Sequence, residues 1–309
     1  MDEIRVFSPA TVSNVACGFD VLGFALESIG DQLVVRRTAE PGLRISKITG
    51  QELTTDIHRN VAGVAVQALL RARETHSGFE FELHKGIKPG SGIGSSAASS
   101  TASVWAVNEL LGAPYTSVEL VTFAMEGERL VSGTAHADNV APALLGGFTL
   151  IRSYEPLDLI ALPFPKELFA VVLHPQIEMK TADSRALLKP DIPLADATRQ
   201  WGNLGGLIAG LYEGDYELIG RCLEDRVAES ARAIRIPGYW ETKRAAMDAG
   251  ALGANISGSG PSIFALCKGK SLAELSARAM KAAFEPTGIP FQCHVSRVSP
   301  EGVRKIDES

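Results

Sequence analysis

The chain has 309 residues, 45% of them hydrophobic and 21% charged, with a formal net charge of −6. That is globular composition, with enough length to bury about three quarters of the unfolded chain's surface in one large domain or two ordinary ones. The acidic balance gives a nucleic-acid role no support, and no stretch approaches the roughly 18–20 uninterrupted apolar residues of a membrane span. Cys17, Cys222, Cys267 and Cys293 form no CxxC pair and read as reduced thiols packed like small hydrophobes. The opening Met1-Asp2-Glu3-Ile4-Arg5 lacks the basic and then apolar build of a secretory signal, so a cytoplasmic location is expected.

Strands are expected at Ile4–Phe7 and Leu33–Arg37. Asn60–Thr75 reads as a helix with Val61, Val64, Ala65, Ala68 and Leu69 on one face. Phe79–Leu83 alternates as a half-buried strand. After the run Lys85–Ser100 a helix passes through Val104, Val107 and Leu111 and stops at Gly112. Thr116–Leu130 is a second amphipathic helix, and Gly147–Ile151 a strand closing this half. Tyr154–Pro165, with Pro156, Pro163 and Pro165, is the expected boundary, giving domains of residues 1–155 and 156–309. Beyond it come a strand at Leu168–Leu173, helical segments from about Thr198 to Ser230, and a helix at Tyr239–Ala249. Strands at Gly253–Ser257 and Ser262–Cys267, a helix at Leu272–Phe284 and a strand at Phe291–Val298 complete the chain. That order is the split βαβ of a ferredoxin-like α+β layer.

The most informative segment is Pro89–Ser99. Gly90, Gly92 and Gly94 alternate just before a helix, followed by Ser95, Ser96, Ala97, Ala98 and Ser99. Glycine suits neither strand nor helix interior, but it lets backbone approach a bulky ligand. Serine suits a helix start, where free N–H groups and about half a positive charge make an anion site. A tight strand-to-helix turn is the plain alternative for any single G-x-G. The full run favours phosphate binding. Walker A is absent, because the residue five before Gly269-Lys270-Ser271 is Phe264. The Rossmann fingerprint is absent, because Gly90 and Gly92 would need a third glycine where Ser95 stands. Neither H-E-x-x-H nor G-x-S-x-G occurs.

This loop resembles the phosphate loop of the GHMP kinase superfamily, which includes galactokinases, homoserine kinases and mevalonate kinases. Two further segments agree. Ser8–Asn14 with Gly18–Gly23, containing Gly18-Phe19-Asp20, resembles the first motif in the form found in the homoserine-phosphorylating branch. Asn255–Ser262 resembles the third motif. His136–Pro142 also fits that branch. The resemblance spans almost the whole chain. It implies an α+β, two-domain GHMP kinase fold, with an N-terminal domain like ribosomal protein S5 and a C-terminal ferredoxin-like domain. It implies transfer of phosphate from ATP to L-homoserine, on the route to threonine, with Mg²⁺ and in a homodimer.

Residue by residue, the resemblance implies that Pro89, Gly90, Ser91, Gly92, Ile93, Gly94, Ser95, Ser96, Ala97, Ala98 and Ser99 hold ATP, with Asn60 near the adenine. Ser96 and Glu128 match the Mg²⁺ ligands, a donor pair that suits this cation. Arg185 and Arg232 match a carboxylate clamp. Asn14, Asp20, His136 and Asn139 match the other substrate contacts, with Asp20 facing the ammonium and Thr181 supporting Arg185. Read alone, Glu128 is a solvated helix face, Asn60 a helix cap and Arg232 a surface charge beside Arg226 and Arg235. Asn139 stands where related kinases have a catalytic aspartate, and Thr11–Asn14 offers no lysine. An amide cannot act as a carboxylate base, so catalysis by alignment and charge is expected. Adjacent Asp138 is the other candidate base, expected to be structural. A mevalonate-type alcohol kinase, a non-catalytic nucleotide-binding protein on the same fold and a generic α+β binding protein are the alternatives.

Overall fold

A computed structural model describes residues 2–177, 179 and 181–307, with the side chains of residues 181 and 182 left undescribed. The first sheet is built from β1 (Glu3–Ser13), β2 (Leu22–Thr38), β3 (Gly42–Thr49) and β4 (Gly78–His84). Helix α1 (Val61–Ala72) lies between β3 and β4 in the chain. After β4 come α2 (Ser95–Leu110), α3 (Ser117–Ser132) and the short α4 (Val140–Leu145), then the hairpin β5 (Phe148–Tyr154) and β6 (Leu157–Leu162). The second layer starts with β7 (Leu168–Pro175) and runs through α5 (Thr181–Ala186), α6 (Leu194–Glu213), α7 (Tyr216–Cys222), α8 (Glu229–Ala233) and α9 (Tyr239–Asp248). It closes with β8 (Gly253–Ile256), β9 (Ile263–Lys268), α10 (Lys270–Phe284) and β10 (Phe291–Arg297), after which β11 (Arg304–Lys305) follows.

The second sheet has the order β10-β7-β9-β8 with every pair antiparallel, the ferredoxin-like arrangement read from the element order. The first sheet runs β11-β1-β2-β4-β3, with β5 and β6 carried on β2. The boundary expected at residues 155 and 156 falls inside the β5–β6 hairpin. Ladder pairing from Phe148↔Leu162 to Tyr154↔Leu157 keeps that hairpin in the first sheet. The change of sheet therefore lies between Leu162 and Leu168, and Pro163 and Pro165 fill that crossing while Pro156 sits in the hairpin turn. The strand expected at Leu33–Arg37 is the far half of the long β2. The helical stretch expected at 198–230 is three helices, interrupted by Gly214 in a left-handed conformation (φ +69°).

Helices α2 and α3 of the first domain pack closely against each other. Helix α2 opens with nine small residues, Ser95–Ser103, and is buried on nearly every side, between the sheet and α1, α3 and α4. Helix α3 starts with a capping box, in which Thr116 accepts from the Glu119 N–H and Glu119 accepts from the Thr116 N–H, worth about 1 kcal/mol. Gly127 lets α3 close on α2, since a Cβ there would fall 2.2 Å from Ser100 Oγ. No helix among the described residues is long and apolar enough to cross a membrane.

Candidate active site

The glycine loop runs from β4 to α2. Gly90, Gly92 and Gly94 all have positive φ, +70°, +80° and +73°, a region that costs other L-residues about 1–2 kcal/mol. Gly94 is the N-cap of α2 and packs under Thr11, whose Oγ1 would sit 2.2 Å from an added Cβ. At Gly92 a Cβ would lie 2.6 Å from Gly260 O and 2.7 Å from Ser257 O. At Gly90 the nearest described atom to an added Cβ is Met179 O at 3.6 Å, an ordinary van der Waals contact. The third motif holds the loop from the other domain: Ser257 Oγ donates to Gly92 O (2.7 Å) and Ser262 Oγ to Ser91 O (2.6 Å).

A cleft of ≈ 930 Å³ opens along this loop. Within it the structure gathers Asn14, Asp20, Ser96, Glu128, His136, Asn139, Arg185 and Arg232, residues from both domains. Pro89 to Gly92, Gly94, Ser95 and Ser99 line it too. Ile93, Ala97 and Ala98 are buried in the core, so only their backbone can serve a ligand. Asn60 does not line the cleft. Its side chain caps α1, accepting from Ala62 N (3.0 Å) and donating to Thr54 O (2.8 Å), and its neighbour Val61 takes the lining position. The side chain of Thr181 lies outside the described residues.

At one end of the cleft two guanidinium groups converge. Arg185 donates to both carboxylate oxygens of Asp20, at 2.6 and 3.4 Å, and approaches His136 Nε2 at 3.2 Å. Arg232 is not a surface charge: it is 4% exposed, donates to Gly258 O at 2.8 Å, and leaves a buried Nε without a partner among the described residues. Burial depresses its pKa. Both guanidinium groups lie near the Phe19 ring, at 5.9 and 5.3 Å from its centroid. The backbone beneath is strained, with Asn14, Val15, Ala16 and Asp20 all at positive φ, and Asn14 Oδ1 accepts from Asp20 N at 3.0 Å.

Asn139 stands between this end and the loop. Its Oδ1 accepts from Thr11 Oγ1 (2.7 Å) and its amide donates to Ser13 Oγ (2.9 Å). Asp138 is 5% exposed, and burial, helped by nearby Asp20, raises its pKa. Glu128 is no solvated carboxylate. Its Oε1 is sealed from solvent with no hydrogen-bond partner among the described residues, and burial pushes its pKa up to about 7, against the opposing hydrogen bond from Ser96. Beneath the loop, Lys85 is buried against Asp31 and donates to Ser95 O and Ser99 Oγ, both at 2.8 Å. Desolvation lowers the Lys85 pKa and raises that of Asp31. The sequence reading missed this pair: Asp31 lies between Gly30 and Gln32, and Lys85 between His84 and Gly86, so no apolar pattern marks either as buried.

Residues 60–147 match the family described as GHMP kinases N terminal domain, and residues 207–286 the one described as GHMP kinases C terminal. The chain is 51% identical to a homoserine kinase of Chloroherpeton thalassium, covering 98% of this chain and 99% of that protein. It is 48% identical to a homoserine kinase of Chlorobaculum tepidum, covering 99% of each. A crystal structure of homoserine kinase from Cytophaga hutchinsonii superposes with a TM-score of 0.95 at 48% identity, over 99% of this chain and 98% of that one. The fold alone extends to L. major mevalonate kinase, with a TM-score of 0.71 at 18% identity over 94% of this chain and 95% of that one. The chain therefore belongs to the GHMP kinase family and, within it, to the homoserine kinases.

Proposed function

We propose that the enzyme transfers the γ-phosphoryl group of ATP to the side-chain hydroxyl of L-homoserine, giving ADP and O-phospho-L-homoserine. The single observation that carries the choice of acceptor is Arg232, a buried guanidinium with an unpartnered Nε beside an Arg185–Asp20 pair. A zwitterion matches this arrangement. Its carboxylate suits Arg232 and Arg185, and its ammonium suits Asp20. An uncharged alcohol would leave Arg232 without an anion, and a hydroxy acid such as mevalonate would supply the anion but no ammonium for Asp20.

Backbone N–H groups of the glycine loop and the start of α2 face the triphosphate, and α2 contributes its positive dipole end. The residues present fit Mg²⁺: Ser96 offers a hydroxyl and Glu128 a carboxylate oxygen that lacks any protein partner. When bound, the cation neutralises phosphate charge. Asn139, fixed by Thr11 and Ser13, aligns the acceptor end with the phosphate end. The hydroxyl proton passes to the phosphoryl oxygens or to solvent as the P–O bond to ADP breaks, with no carboxylate base needed.

Asp138 is a second candidate for the proton, favoured by its place in the cleft and its raised pKa. An ADP-release assay with L-homoserine, mevalonate, L-serine and L-threonine tests the assignment, run on the wild type and Asp138→Asn. Homoserine-dependent ADP release by both proteins is expected. Release with mevalonate alone would remove the amino-acid reading, and a dead Asp138→Asn that still binds both substrates would make Asp138 the base. The homodimer rests on the family resemblance alone, and light scattering tests it.

A further inference from the structure

Four cationic side chains line the cleft among the described residues: Lys85, Lys88, Arg185 and Arg232. Three have evident work. Lys85 is spent on Asp31 under the loop, Arg185 on Asp20, and Arg232 lies at the amino-acid end on Gly258 O. Lys88 directly precedes Pro89, where the glycine loop begins, and it is half-buried. No described carboxylate pairs with it; its ammonium donates instead to Gln176 Oε1 at 2.9 Å. Gln176 follows β7, across the cleft in the other domain, and its amide in turn approaches His174 Nδ1 at 3.1 Å.

This row carries one net charge. Amide N–H groups only donate, so His174 Nδ1 accepts and the ring proton sits on Nε2, which is buried without a partner among the described residues. The imidazole is neutral, since burial, and then the charge of Lys88, hold its pKa down to about 4. The choice of an amide at position 176 matters. A carboxylate there would orient Lys88 equally well but would cancel its charge. A glutamine orients the ammonium and leaves the charge available to a ligand.

We infer that Lys88 is a phosphate-binding residue, its ammonium meeting the phosphates of the nucleotide at the mouth of the glycine loop while Gln176 aims it from the opposite domain. The inference rests on the reading of this loop as the ATP site. It gives the loop a point charge to add to its N–H groups, from a residue outside the glycine run. It also makes the phosphates a bridge between the two domains, because Lys88 and Gln176 face each other across the cleft.

Isothermal titration of the full chain with ADP in Mg²⁺, and separately with adenosine, tests this. Lys88→Met is expected to weaken ADP at least about tenfold, the loss of one charged contact, and to leave adenosine within about twofold. Lys88→Arg is expected to restore ADP binding to within about threefold, and Gln176→Glu, nearly isosteric, to weaken ADP but not adenosine. If Lys88 only straps the two domains together, ADP and adenosine will weaken alike, and the inference falls. Unchanged ADP affinity in Lys88→Met overturns it as well. A wild type that binds neither compound would instead sink the kinase reading itself, and this role with it.

Discussion

Burying a guanidinium without an acidic partner is expensive, and protein folds keep such a group where a ligand supplies the missing anion. Arg232 is in that position. Replacing it with leucine is expected to raise the homoserine KM at least about tenfold while moving the ATP KM by less than about twofold. The same variant is expected to melt no lower than the wild type, because it removes a charge the protein alone does not satisfy. Equal rises in both KM values would take Arg232 out of the clamp, and a lower melting temperature would make it structural. The sequence by itself read Arg232 as a charge among charges, with Arg226 and Arg235. Helical spacing says which residues share a face, but not that α8, only five residues long, is wedged against Gly258. Asp20 and Arg185 are 165 positions apart, and only the family motifs suggested that they meet. Lys88 and Gln176 had no such signal: their 88-residue separation crosses domains, and neither falls inside a motif.

The loop and α2 were legible because their composition has few other uses. Three alternating glycines before a helix of small residues point to close approach, and the positive φ values agree. What the composition did not separate is the different work of each glycine. Gly90→Ala meets no collision among the described residues and is expected to cost only the left-handed backbone penalty of about 1 kcal/mol. Gly92→Ala adds a collision with two carbonyls of the other domain and is expected to cost about 2 kcal/mol more in chemical denaturation. Equal costs would mean that the two domains are not in contact through Gly92 in solution. The ferredoxin-like half was read correctly in order because its strands are short, apolar and separated by clear turns. The first sheet was read less well. β3 is Leu43-Arg44-Ile45-Ser46-Lys47-Ile48, polar on its outer face, and β6 hides within a segment bracketed by prolines.

The stability of the whole molecule carries the mark of Glu128. Its folded pKa of about 7 lies above the ordinary carboxylate value near 4.5. The folded state therefore holds this proton longer than the unfolded state, so the contribution is greatest below pH 4.5 and is lost as pH rises through about 7. At about 1.4 kcal/mol per pKa unit the loss amounts to about 3 kcal/mol above neutrality without a cation. Glu128→Gln is expected to close that gap, gaining on the wild type between pH 5 and pH 8 in chelator, by denaturant melts. Added Mg²⁺ is expected to raise the pH 8 melting temperature of the wild type and leave the variant unmoved. A stability difference between the two that stays constant with pH would remove the raised Glu128 pKa, and an equal response of both to Mg²⁺ would remove Glu128 from the metal site.

Strand β11 places Val6 opposite Lys305 and Phe7 opposite Arg304. The second domain is thus an excursion between β6 and β11 of the first sheet, leaving after Leu162 and returning after Arg297 to the far edge, beside β1. During synthesis β1 emerges among the earliest residues, and its partner on that edge is made some 300 residues later. Until then the outer edge of β1 offers unpaired N–H and C=O groups, the kind of edge that invites pairing with a wrong partner. The first domain can form its core early, but the ladder that seals its edge comes only after the second domain has been made.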